Sequence, residues 1–440
     1  MNSSRVKIGL LGCGTVGRAV VELVGDERSC DPANGEMPLE IVKIMVRDLH
    51  KDRGVDPRLL TLDAAEIVDN DDIDVVVEAL GNIEPARALV CRALSSGKSV
   101  VTANKTLIST CHNELIRLAK RSRVTLGYEA CVCAGLPVLR TLRYMLRSTR
   151  VESICGIVNG TCNYILTRMR DQGEPFQLAL QHAQQSGFAE ADPSADLDGR
   201  DSAEKIAILS GVAFGKTISP EKIDTVGIRG IEAIDVREAA SCGLVFKLLA
   251  IAARDEDSDP VNSDALNSDA LNIRVHPVLL ERHHPLAGVS GVTNRVVIST
   301  DSVGDIALDR PGAGGPTTAS AILADIIDAG KQPCAPMIPW TTANLAAASG
   351  ETSYYIRVRT RPDQRLPDLC HQAFREWGVT TSTLSIRRDE QHNDWQNVFA
   401  YTQPCKRDSI RQAARLLAAE TPAVVAPIWR TRTTASTRFV

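Results

Sequence analysis

The sequence predicts an α/β protein in three parts. These are a parallel sheet flanked by helices, an α+β middle segment, and a small C-terminal sandwich. Three observations predict it. Strand-like and helix-like runs alternate through the first 130 residues, which implies a parallel sheet with right-handed crossovers. A G-x-G-x-x-G loop, Gly12, Gly14 and Gly17 in "IGLLGCGTVG", follows the first strand and opens a helix, as in Rossmann-type dinucleotide sites. The last ninety residues read strand, helix, strand, strand, helix, strand, the order of a ferredoxin-like sandwich.

Each element follows from local pattern. Val6–Leu11 is a short apolar strand, and Thr15–Val24 places Val16, Val20, Leu23 and Val24 on one helical face. Leu39–Val46 is a second strand. Asp74–Leu80 is a third, with the unbroken valine run of a strand buried on both faces. Pro85–Ser96 reads as a helix with proline in its first turn and Gly97 just past its end. Ser99–Thr102 is a strand, Asn113–Arg121 a helix and Val124–Tyr128 a strand. From Gly135 onward, helices (Leu136–Leu146, Thr161–Arg170, Phe176–Ser186, Ser202–Phe214) mix with strands (Val151–Val158, Leu244–Ala252, Asn294–Thr300). Residues 255–272 contain a five-residue unit, NSDAL, written twice, the mark of a surface loop grown by duplication. Prolines at 333, 336 and 339 and an Ala-rich run ending at Gly350 read as a linker. The expected domains are therefore 1–134, 135–330, a linker 331–350, and 351–440.

Composition excludes several classes. A formal net charge of −4 offers no general attraction for nucleic acid or a membrane surface. No apolar run is long enough to span a bilayer, and the N-terminal run is too short and glycine-broken for a signal peptide. The twelve cysteines are scattered without a C-x-x-C pair, which argues for reduced thiols in a cytoplasmic protein rather than a disulfide framework or a zinc site.

The glycine loop carries the first chemistry. Gly12 permits the tight turn, Gly14 lets backbone approach a pyrophosphate, and Gly17 lets helix pack on strand. Cys13, Thr15 and Val16 complete the loop. The second strand ends in Arg47–Asp48. An acidic residue there suits the ribose hydroxyls of NAD, and an arginine suits the extra phosphate of NADP. Arg47 tips the expectation to NADP, with NAD as the alternative. Lys105 lies just past a parallel strand, at the sheet edge where ligands sit. Between Phe188 and Lys205 the chain concentrates Glu190, Asp192, Asp196, Asp198, Asp201 and Glu204. A solvated loop, a magnesium- or calcium-type site and a pocket for a cationic small molecule compete as explanations.

The stretch "AQQSGFAEADPSADLDGRDSAEK" (Ala183–Lys205) resembles the signature of the homoserine dehydrogenase family, in its long bacterial form with a C-terminal ACT domain. Ala183, Gly187, Asp192–Pro193, Asp196, Gly199, Asp201 and Lys205 match in spacing. "TANK" (Thr102–Lys105), "YEA" (Tyr128–Ala130), "NGTCNYIL" (Asn159–Leu166) and "PGAGG" (Pro311–Gly315) are further family-like blocks. The similarity runs from residue 5 to about 330; the last ninety residues resemble an ACT domain more loosely.

The resemblance implies reversible hydride transfer between a nicotinamide and C4 of aspartate 4-semialdehyde or homoserine, within threonine, methionine and isoleucine biosynthesis. It implies substrate contacts at Glu190 and Asp201, with Asp196 and Gly187 close by, because a carboxylate pocket suits an α-ammonium group. Lys205 is the implied proton donor and acceptor. Lys105 touches cofactor or substrate oxygen, and the division of the acid/base role between the two lysines stays open. Lysine suits both directions if burial or a second cation lowers its pKa. Lys205 among the carboxylates argues against a divalent metal, and Glu204 is expected in solvent. The resemblance further implies a monovalent cation, sodium, held by the backbone carbonyls of Glu129, Val132, Ala134 and Leu136, with Cys133 standing where a small residue is expected. It implies cofactor contacts at Gly187, Gly312 and Gly314, with Arg310 replacing a glycine. It implies a homodimer or homotetramer, and threonine as an effector. The loop "TRPDQRLPD" (Thr360–Asp368) lacks the glycine of effector-binding ACT domains, so a purely dimer-building module is the alternative.

Two rivals remain. An aldehyde dehydrogenase with a nucleophilic cysteine needs an activated thiol, and no cysteine stands in such a context. A non-catalytic amino-acid sensor is disfavoured by the presence of Lys105, Glu190, Asp201 and Lys205 together.

Overall fold

The computed structural model describes residues 5–26, 38–254, 270–311, 314–331, 339–345, 351–362, 365–388, 394–417 and 424–429. The first unit contains β1 (Val6–Leu11), α1 (Thr15–Gly25), β2 (Leu39–Met45), β3 (Leu60–Thr61), α2 (Ala65–Val68), β4 (Val75–Glu78), α3 (Ala86–Ser95), β5 (Ser99–Thr102), α4 (Lys105–Ser122) and β6 (Leu126–Gly127). Its strands form a parallel sheet in the order β3-β2-β1-β4-β5-β6. The valine run of β4 explains itself: Val75 and Val77 face one core with Val20 of α1, while Val76 faces another with Val90 of α3 and Leu107 of α4. A strand covered on both faces has no reason to alternate with polar residues. The reversal of strand order between β1 and β4 opens a crevice at their carboxyl ends.

The middle of the chain contains α5 (Val138–Met145), β7 (Val151–Ile157), α6 (Gly160–Gln172), α7 (Phe176–Gln185), α8 (Ser194–Leu197), α9 (Arg200–Phe214), β8 (Lys216–Thr217), β9 (Asp224–Thr225), α10 (Ala233–Ser241), β10 (Leu244–Arg254), β11 (Ala270–Glu281), β12 (Thr293–Thr300), β13 (Gly304–Pro311) and α11 (Gly315–Lys331). An antiparallel run, β13-β12-β7-β10-β11, forms its sheet. Helix α11 returns to the first sheet, where Ala319, Ile322 and Ile326 share a core with Val75 and Val101.

The remainder contains β14 (Thr341–Thr342), β15 (Asn344–Leu345), β16 (Glu351–Thr360), α12 (Leu366–Glu376), β17 (Thr381–Arg388), β18 (Gln396–Thr402), β19 (Cys405–Lys406), α13 (Arg407–Leu417) and β20 (Val424–Trp429). Strands β20-β16-β18-β17 make an antiparallel sheet, and β20 pairs in parallel with β11, so the two antiparallel sheets are one continuous surface.

Several expectations change. Helix α4 begins at Lys105 rather than Asn113, because the Asn104 side chain caps it by accepting from the Leu107 N–H at 3.1 Å. Residues 255–269 of the repeat segment lie outside the described residues, and the repeat ends inside a strand: Ala270 and Leu271 begin β11, with Leu271 fully buried. Of the expected linker, Lys331 ends α11 and residues 339–345 are strapped down, because β14 pairs with β8 and β15 with β11. Strands β11 and β13 and helix α10 had no expectation. Polar residues alternate unevenly along β11 and β13, and α10 carries a weak apolar face.

Candidate active site

Two segments bring the chemistry to the crevice. At the carboxyl end of the first sheet, the Thr102 hydroxyl donates to the buried Glu78 carboxylate and accepts the Asn104 N–H at 2.9 Å. Asn104 then caps α4, so Lys105, its first helical residue, emerges at the sheet edge. Facing it is α9, entered through Gly199 at φ +82°, a conformation that suits glycine. Asp201, Glu204 and Lys205 lie on its first two turns.

The side chains interlock. Lys205 Nζ lies 2.7 Å from Asp201 Oδ2 and donates to the Val158 carbonyl at 2.8 Å. Lys105 Nζ lies 3.5 Å from Asp201 Oδ1 and 3.8 Å from a Glu204 oxygen. Asn159 caps α6 through Oδ1, and its Nδ2 donates to Asp196 at 2.7 Å and to Asp201 at 2.8 Å. One buried carboxylate, Asp201, therefore joins both lysines and the α6 cap.

Electrostatics follows from this geometry. Burial raises the Asp201 carboxyl, but Lys205 and Lys105 outweigh burial and hold it below the usual carboxylate value. Burial depresses Lys205, but Asp201, then Cys133 and Asp196, outweigh it and leave Lys205 above the usual 10.5 of a lysine. The condition under which a lysine suits both directions, a lowered pKa, is therefore not met at Lys205, because the nearest charge is an anion rather than a second cation. Asp196 is raised by burial and by the Asp201 charge.

Glu204 corrects a second expectation. It is partly buried rather than solvated, accepting from the Thr106 hydroxyl at 2.9 Å beside Lys105. Its signal was its place one turn beyond Asp201 on the α9 face turned to α4. Asp198 pairs with Arg229, and Asp192 accepts from the Ser194 amide and hydroxyl. Glu190 is exposed and joins none of these contacts through its carboxylate, while its carbonyl accepts from Gln184 at 3.1 Å. Gly187 ends the α7 turn at φ +72°. Among the described residues no group of three or more His, Cys, Asp and Glu is placed to hold a metal ion.

The glycine loop has the shape an anion needs. Gly12 adopts φ +103°, and a Cβ on Gly17 would fall 2.2 Å from the Gly12 carbonyl oxygen. A Cβ on Gly14 would meet nothing within 4 Å, so the space outside it is open. The N-terminus of α1, reached through Cys13, Thr15 and Val16, carries no side-chain cap and no acidic residue in its first turn, leaving its amides for a phosphate. Burial raises the Cys13 thiol against the pull of Arg53 and Arg18, which places both arginines near the loop. Sequence reasoning passed over both of them. Arg47 is exposed at the end of β2. Gly314, at φ +130°, precedes α11, whereas Gly312 lies outside the described residues.

The "YEACVCAGLP" loop is buried. The Glu129 carboxylate accepts the Leu139 and Arg140 amides, each at 2.9 Å, and so caps α5. Burial and the nearby Asp325 push Glu129 up to about 7. Cys133 takes φ +49°, the left-handed conformation that accounts for a small residue there. The Glu129 and Leu136 carbonyls each accept a backbone N–H, while the buried Val132 and Ala134 carbonyls accept none among the described residues. Buried carbonyls without donors fit a cation. Burial pushes the Cys133 thiol up to about 11 and the Cys131 thiol well above 9, so neither is an activated nucleophile.

Comparison with known proteins identifies the family. Residues 12–129 match the family described as "Homoserine dehydrogenase, NAD binding domain", and residues 137–327 match "Homoserine dehydrogenase". The chain is 43% identical to the homoserine dehydrogenase of Synechocystis sp. over 327 residues, 73% of each chain. It is 37% identical to that of Corynebacterium glutamicum over 428 residues, 95% of this chain and 93% of that one. A crystal structure of a homoserine dehydrogenase from Thiobacillus denitrificans superposes with a TM-score of 0.82 at 31% identity, covering 97% of this chain and 99% of that one. A hyperthermophilic archaeal homoserine dehydrogenase in complex with NADPH superposes at 0.61 with 29% identity, covering 74% and 98%.

Proposed function

The chain belongs to the homoserine dehydrogenase family, and from that premise we propose which of its residues carry the reaction. The activity is that of an NAD(P)-dependent oxidoreductase acting on a CH–OH group, interconverting L-aspartate 4-semialdehyde and L-homoserine. When bound, the nicotinamide supplies or takes the hydride at substrate C4.

Lys205 donates the proton to the developing alkoxide, and its ammonium stabilises the negative charge as it forms. Lys105 approaches the same oxygen from α4 and shares in that stabilisation. Asp201 holds both ammonium groups in place and, with the exposed Glu190 and with Asp196, takes the substrate's α-ammonium group. The single observation that supports this reading best is that one buried carboxylate, Asp201, lies within 3.5 Å of both lysines. Gly12, Cys13, Gly14, Thr15, Val16 and Gly17 take the pyrophosphate, and Gly187 and Gly314 serve the nicotinamide end; Gly312, assigned to the same end, lies outside the described residues. Arg47 favours NADP(H), and Arg18 and Arg53 add positive charge near the same loop.

Four further assignments belong to this reading. The domains divide as 1–134, 135–330, a linker 331–350, and an ACT-like ferredoxin-type unit 351–440. The carbonyls of Glu129, Val132, Ala134 and Leu136 hold a sodium ion; turnover then falls in choline chloride and returns with sodium chloride at equal ionic strength. Equal rates in both salts count against it. The cytoplasmic enzyme is a homodimer or homotetramer in threonine, methionine and isoleucine biosynthesis, and sedimentation of the full chain reads the assembly. Inhibition by threonine in the same assay separates a sensing C-terminal unit from a purely structural one.

The test follows NADPH and NADH oxidation with aspartate 4-semialdehyde, using wild type and Lys205→Ala. Wild-type turnover with loss of about a thousandfold or more in the variant is expected, with NADPH preferred. A folded wild-type protein that binds NADPH and turns over neither cofactor would sink the reading and revive the sensor.

A further inference from the structure

Helices α4 and α9 carry the two lysines, so their mutual placement sets the reacting geometry. At the catalytic end they make polar contacts: Lys105 to Asp201 at 3.5 Å, Lys105 to Glu204 at 3.8 Å, and Thr106 to Glu204 at 2.9 Å. The two contacts of Lys105 involve a group that also answers to substrate.

Two turns further along, a residue from outside both helices lies between them. Trp340 is 8% exposed. Its ring lies parallel to the His112 ring of α4, with centroids 3.3 Å apart and planes at 7°. Asn113, the next residue on α4, grips the Trp340 backbone from both sides: its Nδ2 donates to the Trp340 carbonyl and its Oδ1 accepts the Trp340 N–H, each at 2.8 Å. The other side of the indole rests on α9 at Gly211. A Cβ there would come within 2.5 Å of the ring, so only glycine admits the tryptophan at this depth. Beyond Trp340 the chain stays with the end of α9, since Thr341 N–H donates to the Gly215 carbonyl and Ala343 N–H to the Thr217 carbonyl, both at 2.9 Å.

We propose that Trp340 is a positioning residue for hydride transfer: it clamps α4 to α9 through His112, Asn113 and Gly211, and so fixes Lys105 relative to Lys205. The inference rests on the reading in which Lys105 acts at the substrate oxygen. Asn113 lies eight residues from Lys105, about 12 Å along a rigid helix. A tilt at the clamp therefore appears at the lysine as a displacement of similar size, and about 1 Å of misplacement is enough for a hundredfold loss.

The experiment measures semialdehyde reduction by full-length Trp340→Ala, Trp340→Phe, Gly211→Ala and Lys105→Ala, and by the Trp340→Ala/Lys105→Ala pair. Gly211→Ala guards against simple unfolding, because alanine strengthens a helix interior while its methyl evicts the indole. The expected result is a fall in kcat of about ten- to a hundredfold for Trp340→Ala and Gly211→Ala, with KM for both substrates within about threefold. Trp340→Phe keeps a stacking ring and retains most of kcat. In the Lys105→Ala background, Trp340→Ala adds no further loss, because it acts through that lysine. Wild-type kcat in Trp340→Ala, or losses that simply multiply in the double variant, overturns the clamp while the site reading stands. Wild-type kcat in Lys105→Ala overturns the site reading and the clamp with it.

Discussion

At the scale of the residue, the site is organised by one acid. Asp201 is buried, yet it stays ionised because two ammonium groups and the Asn159 amide outweigh the cost of burial. The same pairing keeps Lys205 protonated, with a pKa above 10.5. An acid of this kind is ready for semialdehyde reduction, where it must give a proton. As a base for homoserine oxidation it is scarce at neutral pH. Reduction by the wild type is therefore expected to be flat from about pH 6 to 9, while kcat for oxidation climbs steadily with pH over the same range. Asp201→Asn removes the anion that raises Lys205, so its oxidation profile shifts to lower pH as kcat/KM falls about a hundredfold or more. An oxidation profile for Asp201→Asn that overlays the wild type would dismiss Asp201 as the tuning group. Lys205 was readable from the spacing of its signature. The sign of its pKa shift was not, because it depends on which charge lies nearest in three dimensions.

At the scale of the element, the glycine loop and the two cap residues do the positioning. Gly12 must adopt a left-handed angle, and Gly17 must pass 2.2 Å, measured to a hypothetical Cβ, from the Gly12 carbonyl. Gly17→Ala pushes α1 off β1 and widens the phosphate turn. NADPH affinity, read by fluorescence titration, is expected to weaken by at least tenfold, with about 1–3 kcal/mol of stability lost to overpacking. Unchanged affinity would mean that the loop does not bind the pyrophosphate. Asn104 and Asn159 show what a sequence reading overlooks. Each is a helix cap, and each also faces a catalytic group, since Asn104 launches Lys105 and Asn159 bridges Asp196 and Asp201. The late start assigned to α4 came from "TANKTLIS", where threonines obscure a helix that the Asn104 cap begins at Lys105.

At the scale of the whole molecule, the C-terminal unit is locked to the middle of the chain. Arg357 of β16 is 4% exposed and donates from Nε to Asp235 of α10 at 2.7 Å; its Nη2 donates to both Glu232 and the Gly230 carbonyl, each at 3.0 Å. The Tyr355 hydroxyl donates to the same Asp235 oxygen at 2.7 Å. Arg407 and Arg411 of α13 both pair with Asp224. Arg357→Ala strands a fully buried Asp235, and a loss of about 3–5 kcal/mol is expected. Urea unfolding followed by circular dichroism measures it, and Arg357→Met combined with Asp235→Leu should recover most of the loss. A loss below about 1 kcal/mol in the single variant would show that water reaches Asp235 and that the seam is loose.

Local chemistry determined the parallel sheet, the phosphate loop and the place of Lys105 at the sheet edge, because glycine spacing and valine runs act within a few residues of themselves, whereas Asp201 and Lys205 were legible only through their likeness to a family signature. Tertiary structure decided the rest. It turned α11 back onto the first sheet and drew Glu204 out of solvent toward Lys105. It also carried Trp340 from an apparent linker to a seat between α4 and α9. Those outcomes depend on which surfaces meet across about a hundred residues or more, and no periodicity in the chain records that.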